Sequence, residues 1–233
     1  MLPPIYCAAR SRYAPREELL ERSGDSPEGT LLWSDEGRGL RLALALDAEG
    51  NFQENAVVAI VASVALGDAI GSLSPPVVAV THRWPDGIEV NGGLAGGVTL
   101  DEAGASAVGT SRLVLGVEVA LDADPGEEPG RRPDLTSLVQ EGCGEITAVR
   151  LLESFARHFL AWLHRWQEDG FAPVRAAWGA RGPEPGARLA HGSIEGVFRG
   201  MGAEGELVIE RDGAEIRLPL AAALAGGPSW SLA

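Results

Sequence analysis

The stretch HRWPDGIEVNGGLAGG, residues 82–97, carries the residues whose types and spacing say most about chemistry. An apolar run, VVAV, leads into Arg83-Trp84-Pro85-Asp86-Gly87, turns back at Asn91-Gly92, and answers with Gly93-Leu94-Ala95-Gly96-Gly97. Asn-Gly between two such runs is a tight-hairpin signal. Tryptophan and proline fix one strand end. Glycine and alanine on the returning strand admit a close approach, either by a ligand or by a packed helix.

Other chemistry-bearing groups are few. Cys7 and Cys143 are too few and too far apart for a disulfide framework. They read as reduced thiols in a cytoplasmic protein. Cys143 stands just before a long helical pattern, whose N-terminus lowers a thiol pKa, but Glu141 and Glu145 flank it and oppose that shift. His158 and His164 have no acidic partner at metal-ligand spacing and read as surface or boundary histidines. No metal site and no Ser-His-Asp arrangement is legible.

Charge narrows the function further. The 233-residue chain has a net charge of −14, and all 19 of its basic side chains are arginines. It lacks the basic face that phosphate-backbone binding needs, which argues against nucleic acid as a partner. The absence of lysine bears on mechanism, because arginine does not replace a lysine that chemistry requires.

The elements that must position these groups follow from pattern. LLW (31–33) and LRLALALD (40–47) read as strands, and residues 54–71 as a buried helix. The 56–73 run is long enough to span a bilayer, but its alanines, Asp68 and the nearby Glu54 favour a core helix and no membrane. PPVVAVTH (75–82) reads as a strand, 87–101 as a hairpin and 111–121 as a further strand. The proline-rich, charged segment 122–134 reads as an exposed, poorly ordered loop. Residues 146–171 give the clearest helix, with Thr147 as N-cap, Gly170 as stop, and a stripe of Leu152, Phe155, Phe159, Trp162, Leu163 and Trp166. After a linker at 181–190 come three short strands, a small β appendage too short to hold itself strongly alone. No secretory signal is read at the N-terminus.

Taken in order, these pieces resemble the biotin/lipoate protein ligase family. Its Lys-Trp-Pro-Asn-Asp signature is matched by Arg83-Trp84-Pro85-Asp86-Gly87, and its Lys-Leu-Ala-Gly by Gly93-Leu94-Ala95-Gly96. Gly116-Val117-Glu118-Val119-Ala120 stands at the family's Gly-x-Gly-x-Asn strand, Thr136-Ser137-Leu138 at its Thr-Ser-Leu, and EDGFAPVRAAW (168–178) at its Gly-Phe-x-Pro…Trp ending. The resemblance runs from about residue 29 to 220. It implies an α/β (α+β) fold: a mixed sheet packed with helices, class II synthetase/biotin ligase-like, over residues 1–183, and a small SH3-like β-barrel over 187–233.

The resemblance also implies a narrow pocket for a flat, fatty-acid-tailed ligand, walled and floored by the two strands of the 82–97 hairpin. Carried over residue by residue, the expected ligand-binding set is Trp33, Ser34, Arg83, Trp84, Asp86, Gly93, Leu94, Ala95, Gly96 and Gly116. The implied cofactors are ATP with biotin or lipoate if ligation survives; a small carboxylic acid is a possible ligand, and a homodimer a possible assembly.

The departures weigh against standard ligation. The family's lysine before Leu-Ala-Gly is Gly93 here, and SGDSPEGTLL stands where a Gly-Arg-rich loop is expected ahead of Trp33-Ser34. Either Trp33-Ser34 or Gly37-Arg38-Gly39 is the true correspondence of that loop region, and spacing favours the tryptophan. Losing one preorganised donor costs roughly 3–4 kcal/mol of transition-state stabilisation, and several are altered together. The expectation is a divergent member with a pocket but without the ligation machinery, and with no assigned catalytic residue. The alternatives are an arginine-based ligase and a Cys143-dependent acyl transferase.

Overall fold

The computed structural model describes residues 1–11, 14–22, 25–105 (the side chain of Ala105 excepted), 110–123, 132, 134–192 and 194–230. The expected exposed loop falls mostly at 124–131 and 133, outside the described residues.

A seven-stranded sheet organises the chain. Its strands are β1 (Cys7–Arg10), β2 (Thr30–Ser34), β3 (Gly39–Ala48), β4 (Val80–Arg83), β5 (Gly87–Val90), β6 (Gly93–Ala105) and β7 (Ser111–Ala120). Their order is β1-β2-β3-β7-β6-β5-β4. Only β1 and β2 run parallel; every other neighbour pair is antiparallel. The sheet is therefore mixed, as the resemblance implies.

Alternation along the strands gives the sheet two different faces. The rear face carries Leu40, Leu42 and Leu44 of β3 with Leu113, Leu115, Val117 and Val119 of β7. It is covered by α3 (Val57–Leu73) and α4 (Ala148–Asp169), which also pack on each other, and by α5 (Ala172–Gly179) against α3. The helix read over 54–71 is α2 (Phe52–Asn55), which carries a capping box between Asn51 and Glu54, followed by α3. Of the 17 residues of α3, 13 are buried, so its apolar length is spent on the core. Thr147 caps α4 by accepting from the Arg150 N–H, and Gly170 ends it at φ 75°.

The front face is covered more thinly. The short helix α1 (Pro15–Glu21) sets Leu19 on Leu32, Ala43, Ala45 and Val114.

Two expectations need correction. The strand placed at 75–82 starts at Val80, because Pro75 and Pro76 have no N–H to donate and the chain first turns, with the Val78 N–H donating to the Pro75 carbonyl. The C-terminal strands β8 (Arg188–His191), β9 (Ile194–Met201), β10 (Leu207–Arg211) and β11 (Ala214–Leu218) form an open antiparallel sheet in the order β11-β10-β9-β8. Among the described residues β8 and β11 do not pair, which is the step a closed barrel would need. This sheet shares the rear core through Phe198, Leu207 and Ile209, which explains how so few residues hold a β unit in place. The helix α6 (Leu220–Ala225) follows and packs on β6 and α2.

Candidate functional site

The front face places side chains in rows across the strands. One row runs Ser34, Arg41, Glu118, Gly97. The next runs Leu32, Ala43, Gly116, Thr99. Small residues at 43, 97 and 116 leave the middle of this face low, and polar groups line it.

Each cation on this face is already engaged. Arg41 Nε lies 2.8 Å from Glu118 Oε1, and Arg16 reaches Asp101 through Nε at 2.7 Å and Nη2 at 2.5 Å. The stem of Arg16 crosses Gly116, where a Cβ would come within 3.3 Å of its Cδ.

Position 93 shows how the lysine is replaced. Segment 134–138 returns to the end of β6: the Leu94 N–H donates to the Asp134 carbonyl and the Thr136 N–H to the Leu94 carbonyl. A Cβ on Gly93 would stand 2.8 Å from Thr136 Cβ, so a larger residue there displaces Thr136. This contact also unites two sequence motifs, Thr136-Ser137-Leu138 and Gly93-Leu94-Ala95, that lie forty residues apart.

The two glycines after Ala95 have distinct causes. Gly96 adopts φ 153°, and a Cβ there would collide with the Glu118 carbonyl oxygen and stand 2.9 Å from Val119 Cα. The partner that comes close at Gly96 is the β7 backbone. A Cβ on Gly97 would collide with the Asp86 carbonyl oxygen and with the indole of Trp230. Ala95 and Leu94 are buried, Ala95 within the rear core.

Asp86 lies at the edge of this face and is almost fully buried. It accepts from the Ser229 N–H at 3.0 Å and from the Ser229 hydroxyl. Burial pushes its pKa up to about 6, opposed by the Ser229 hydrogen bonds and by the charge of Arg83.

Arg83 and Trp84 look elsewhere. Trp84 follows β4 as a buried latch to the C-terminal sheet: Nε1 donates to the Gly205 carbonyl at 2.9 Å, and His191 meets its ring edge-on at 4.9 Å. With Arg83, Arg188 and Leu207 it lines a cleft of about 440 Å³ between the two sheets, whose lining does not include residues 94–97. Trp33 alternates away from Ser34 and packs against the rear core, with the Arg10 guanidinium 4.6 Å from its ring centroid. Of the expected set, the structure thus brings Ser34, Asp86 and Gly116 to the front face. It puts Gly93, Leu94, Ala95 and Gly96 at the start of β6, ahead of the Gly97 and Thr99 that face the front, and Arg83, Trp84 and Trp33 elsewhere.

The connection from β2 to β3 is a four-residue turn, Asp35–Arg38, with Gly37 at φ 72° and Arg38 at φ 62°. Arg38 holds Asp122 and the Ala123 carbonyl. The arginine of this turn is thus held against the residues that follow β7. Cys143 is buried in the rear core with its thiol 3.3 Å from Ser74 Oγ. His158 bonds the carbonyl of Ser154 on its own helix; His164, contrary to expectation, does have an acidic partner four residues on, Glu168, and both are exposed. No metal-ligand group is present among the described residues.

Sequence reasoning missed Arg16, Arg41, Thr99 and Trp230. Period-2 alternation along β3 and β6 signals Arg41 and Thr99; nothing local signals Trp230.

A mixed sheet of this order, with a low front face and a β unit appended to the rear core, defines a ligase-type α/β fold. Residues 2–180 match the model of the biotin/lipoate A/B protein ligase family, and the chain belongs to that family. It is 29% identical over 191 residues to the biotin–[acetyl-CoA-carboxylase] ligase of Paracoccus denitrificans, covering 79% of each chain. Among solved structures, it superposes at a TM-score of 0.85 and 25% identity on a biotin protein ligase-like protein of unknown function from Silicibacter sp. TM1040, covering 96% of this chain and 98% of that one. The biotin protein ligase of Aquifex aeolicus superposes at a TM-score of 0.76 with 16% identity, covering 91% and 94%.

Proposed function

We propose that this chain is a divergent family member that holds a biotin-, lipoate- or octanoate-like acid on the front face and does not join it to protein through ATP. The carrying observation is position 93. The family's lysine is absent there, and Thr136 fills the space its side chain would start from. The rest of the face agrees in sign. Glu118 and Asp101 line it with Arg41 and Arg16 committed to them, and Asp86 at its edge is bonded to Ser229 rather than to an arginine. Ligation must bring a carboxylate to a triphosphate, and this field opposes that meeting. In this reading the chain keeps the division near residues 183–187, an SH3-like ancestry for its open C-terminal sheet, and a cytoplasmic setting with two free thiols. A homodimer is compatible with it.

ATP–pyrophosphate exchange with biotin or lipoate is the test. The expected result is no exchange above background, and none after Gly93→Lys. A second reading, an arginine-based ligase, draws on the Paracoccus relative and on Arg41 at the centre of the face. Robust exchange by the unmodified protein, lost in Arg41→Ala or Arg83→Ala, would establish it instead.

A further inference from the structure

Residues 220–230 lie beyond the stretch that matches the family model; α6 sits in the rear core, and residues 227–230 after it reach the front face. α6 anchors the segment through buried Leu220 and Leu224. The chain then turns at Gly227, φ 84°, and Pro228, Ser229 and Trp230 run to Asp86 and Gly97. Trp230 is only 8% exposed, and its indole fills the space above Gly97.

The contact is poorly satisfied in one respect. Trp230 Nε1 is buried and has no hydrogen-bond partner among the described residues, and neither has Thr99 Oγ1, two residues along the same strand face from Gly97. A buried indole N–H without an acceptor opposes the packing that its ring gains. Two unpartnered polar atoms, Trp230 Nε1 over Gly97 and Thr99 Oγ1 over Gly116, offer a polar ligand bonds that the tail does not make.

We propose that residues 227–230 form a strap that occupies the ligand face of the unliganded chain and leaves it when an acid binds. The identity of the acid rests on the function proposed above; the strap rests on the Ser229–Asp86 and Trp230–Gly97 contacts. A segment that follows directly on its anchor helix competes intramolecularly, so it lowers the apparent affinity by the fraction of chains it keeps closed.

Calorimetry with biotin, lipoate and octanoate tests this on three proteins: the full chain, a chain ending at Gly226, and full-length Trp230→Ala. The truncated chain is expected to bind at least tenfold more tightly than the full chain, with Trp230→Ala between them. Should truncation impair folding, Trp230→Ala decides alone. Equal or weaker binding by the opened variants overturns the strap and makes Trp230 a wall of the site. If none of the proteins binds any of the acids, the acid reading falls, and hydrogen exchange over residues 96–99 decides the strap. Faster exchange in the opened variants upholds it, and unchanged exchange overturns it.

Discussion

The two faces of the sheet divide the work of this molecule. The rear is a continuous apolar layer in which Phe155, Phe159 and Trp178 are fully buried under two long helices. The front is low and polar and, among the described residues, is covered by a seven-residue helix and a C-terminal tail. The same β3 and β7 strands build both, so the difference comes from alternate side chains: leucine and valine to the rear, arginine, glutamate, glycine and alanine to the front. The rear face is where burial stabilises the fold. The front face gives up that stabilisation.

The largest effect should follow from a change on the rear side. Trp178→Ala removes a fully buried ring that stacks on His82 at 6.0 Å. Denaturant unfolding is expected to show a loss of about 3–5 kcal/mol. A loss near zero would dissolve the contrast between the faces.

A second, smaller effect concerns pH. His82 is buried beside Trp178, with Nδ1 3.1 Å from Ser63 Oγ, and burial, with help from the charge of Arg181, lowers its pKa from 6.5 to about 4. Between those values the unfolded chain binds the extra proton, so this stability is complete above about pH 6.5 and is lost as pH falls towards 4. Asp86 works in the opposite sense. Its pKa rises from 3.8 to about 6, so the folded chain holds more protons in that window and stability falls as pH rises through it. His82→Gln removes the first slope and leaves the second. Unfolding free energies measured from pH 4 to 7 should therefore change slope between pH 4 and 6 by an amount on the order of 2–3 kcal/mol across the window. An unchanged slope would mean that His82 is not held neutral by the fold.

The smallest effect should come from the front. A double-mutant cycle on Arg41 and Glu118, a half-exposed pair, is expected to give a coupling of about 1 kcal/mol or less in stability. A larger coupling would make the front face part of the stabilising core, and the comparison would need redrawing.

The particular elements show how far the sequence reaches. Strands β2, β3 and β7 and helix α4 were legible because each carries a complete apolar period with its own start and stop. β1 was not, because all four of its residues are exposed and it is a strand only by pairing with β2. α1, α5 and α6 are short, and the two prolines that begin α1 and sit in the first turn of α5 read equally well as loop punctuation. At the site, Asp86, Gly93 and Gly116 were legible through their place in spaced motifs. Trp84 kept its motif but took another role, as the latch to Gly205.

The sequence by itself determined the family, the mixed sheet and the absence of lysine, because these depend on residue type and on short-range order. Only the tertiary structure decided what stands against each glycine. Gly93 meets Thr136, Gly96 the β7 backbone and Gly97 the ring of Trp230, from positions up to 133 residues away. A glycine records that something comes close, and the folded chain alone supplies what it is.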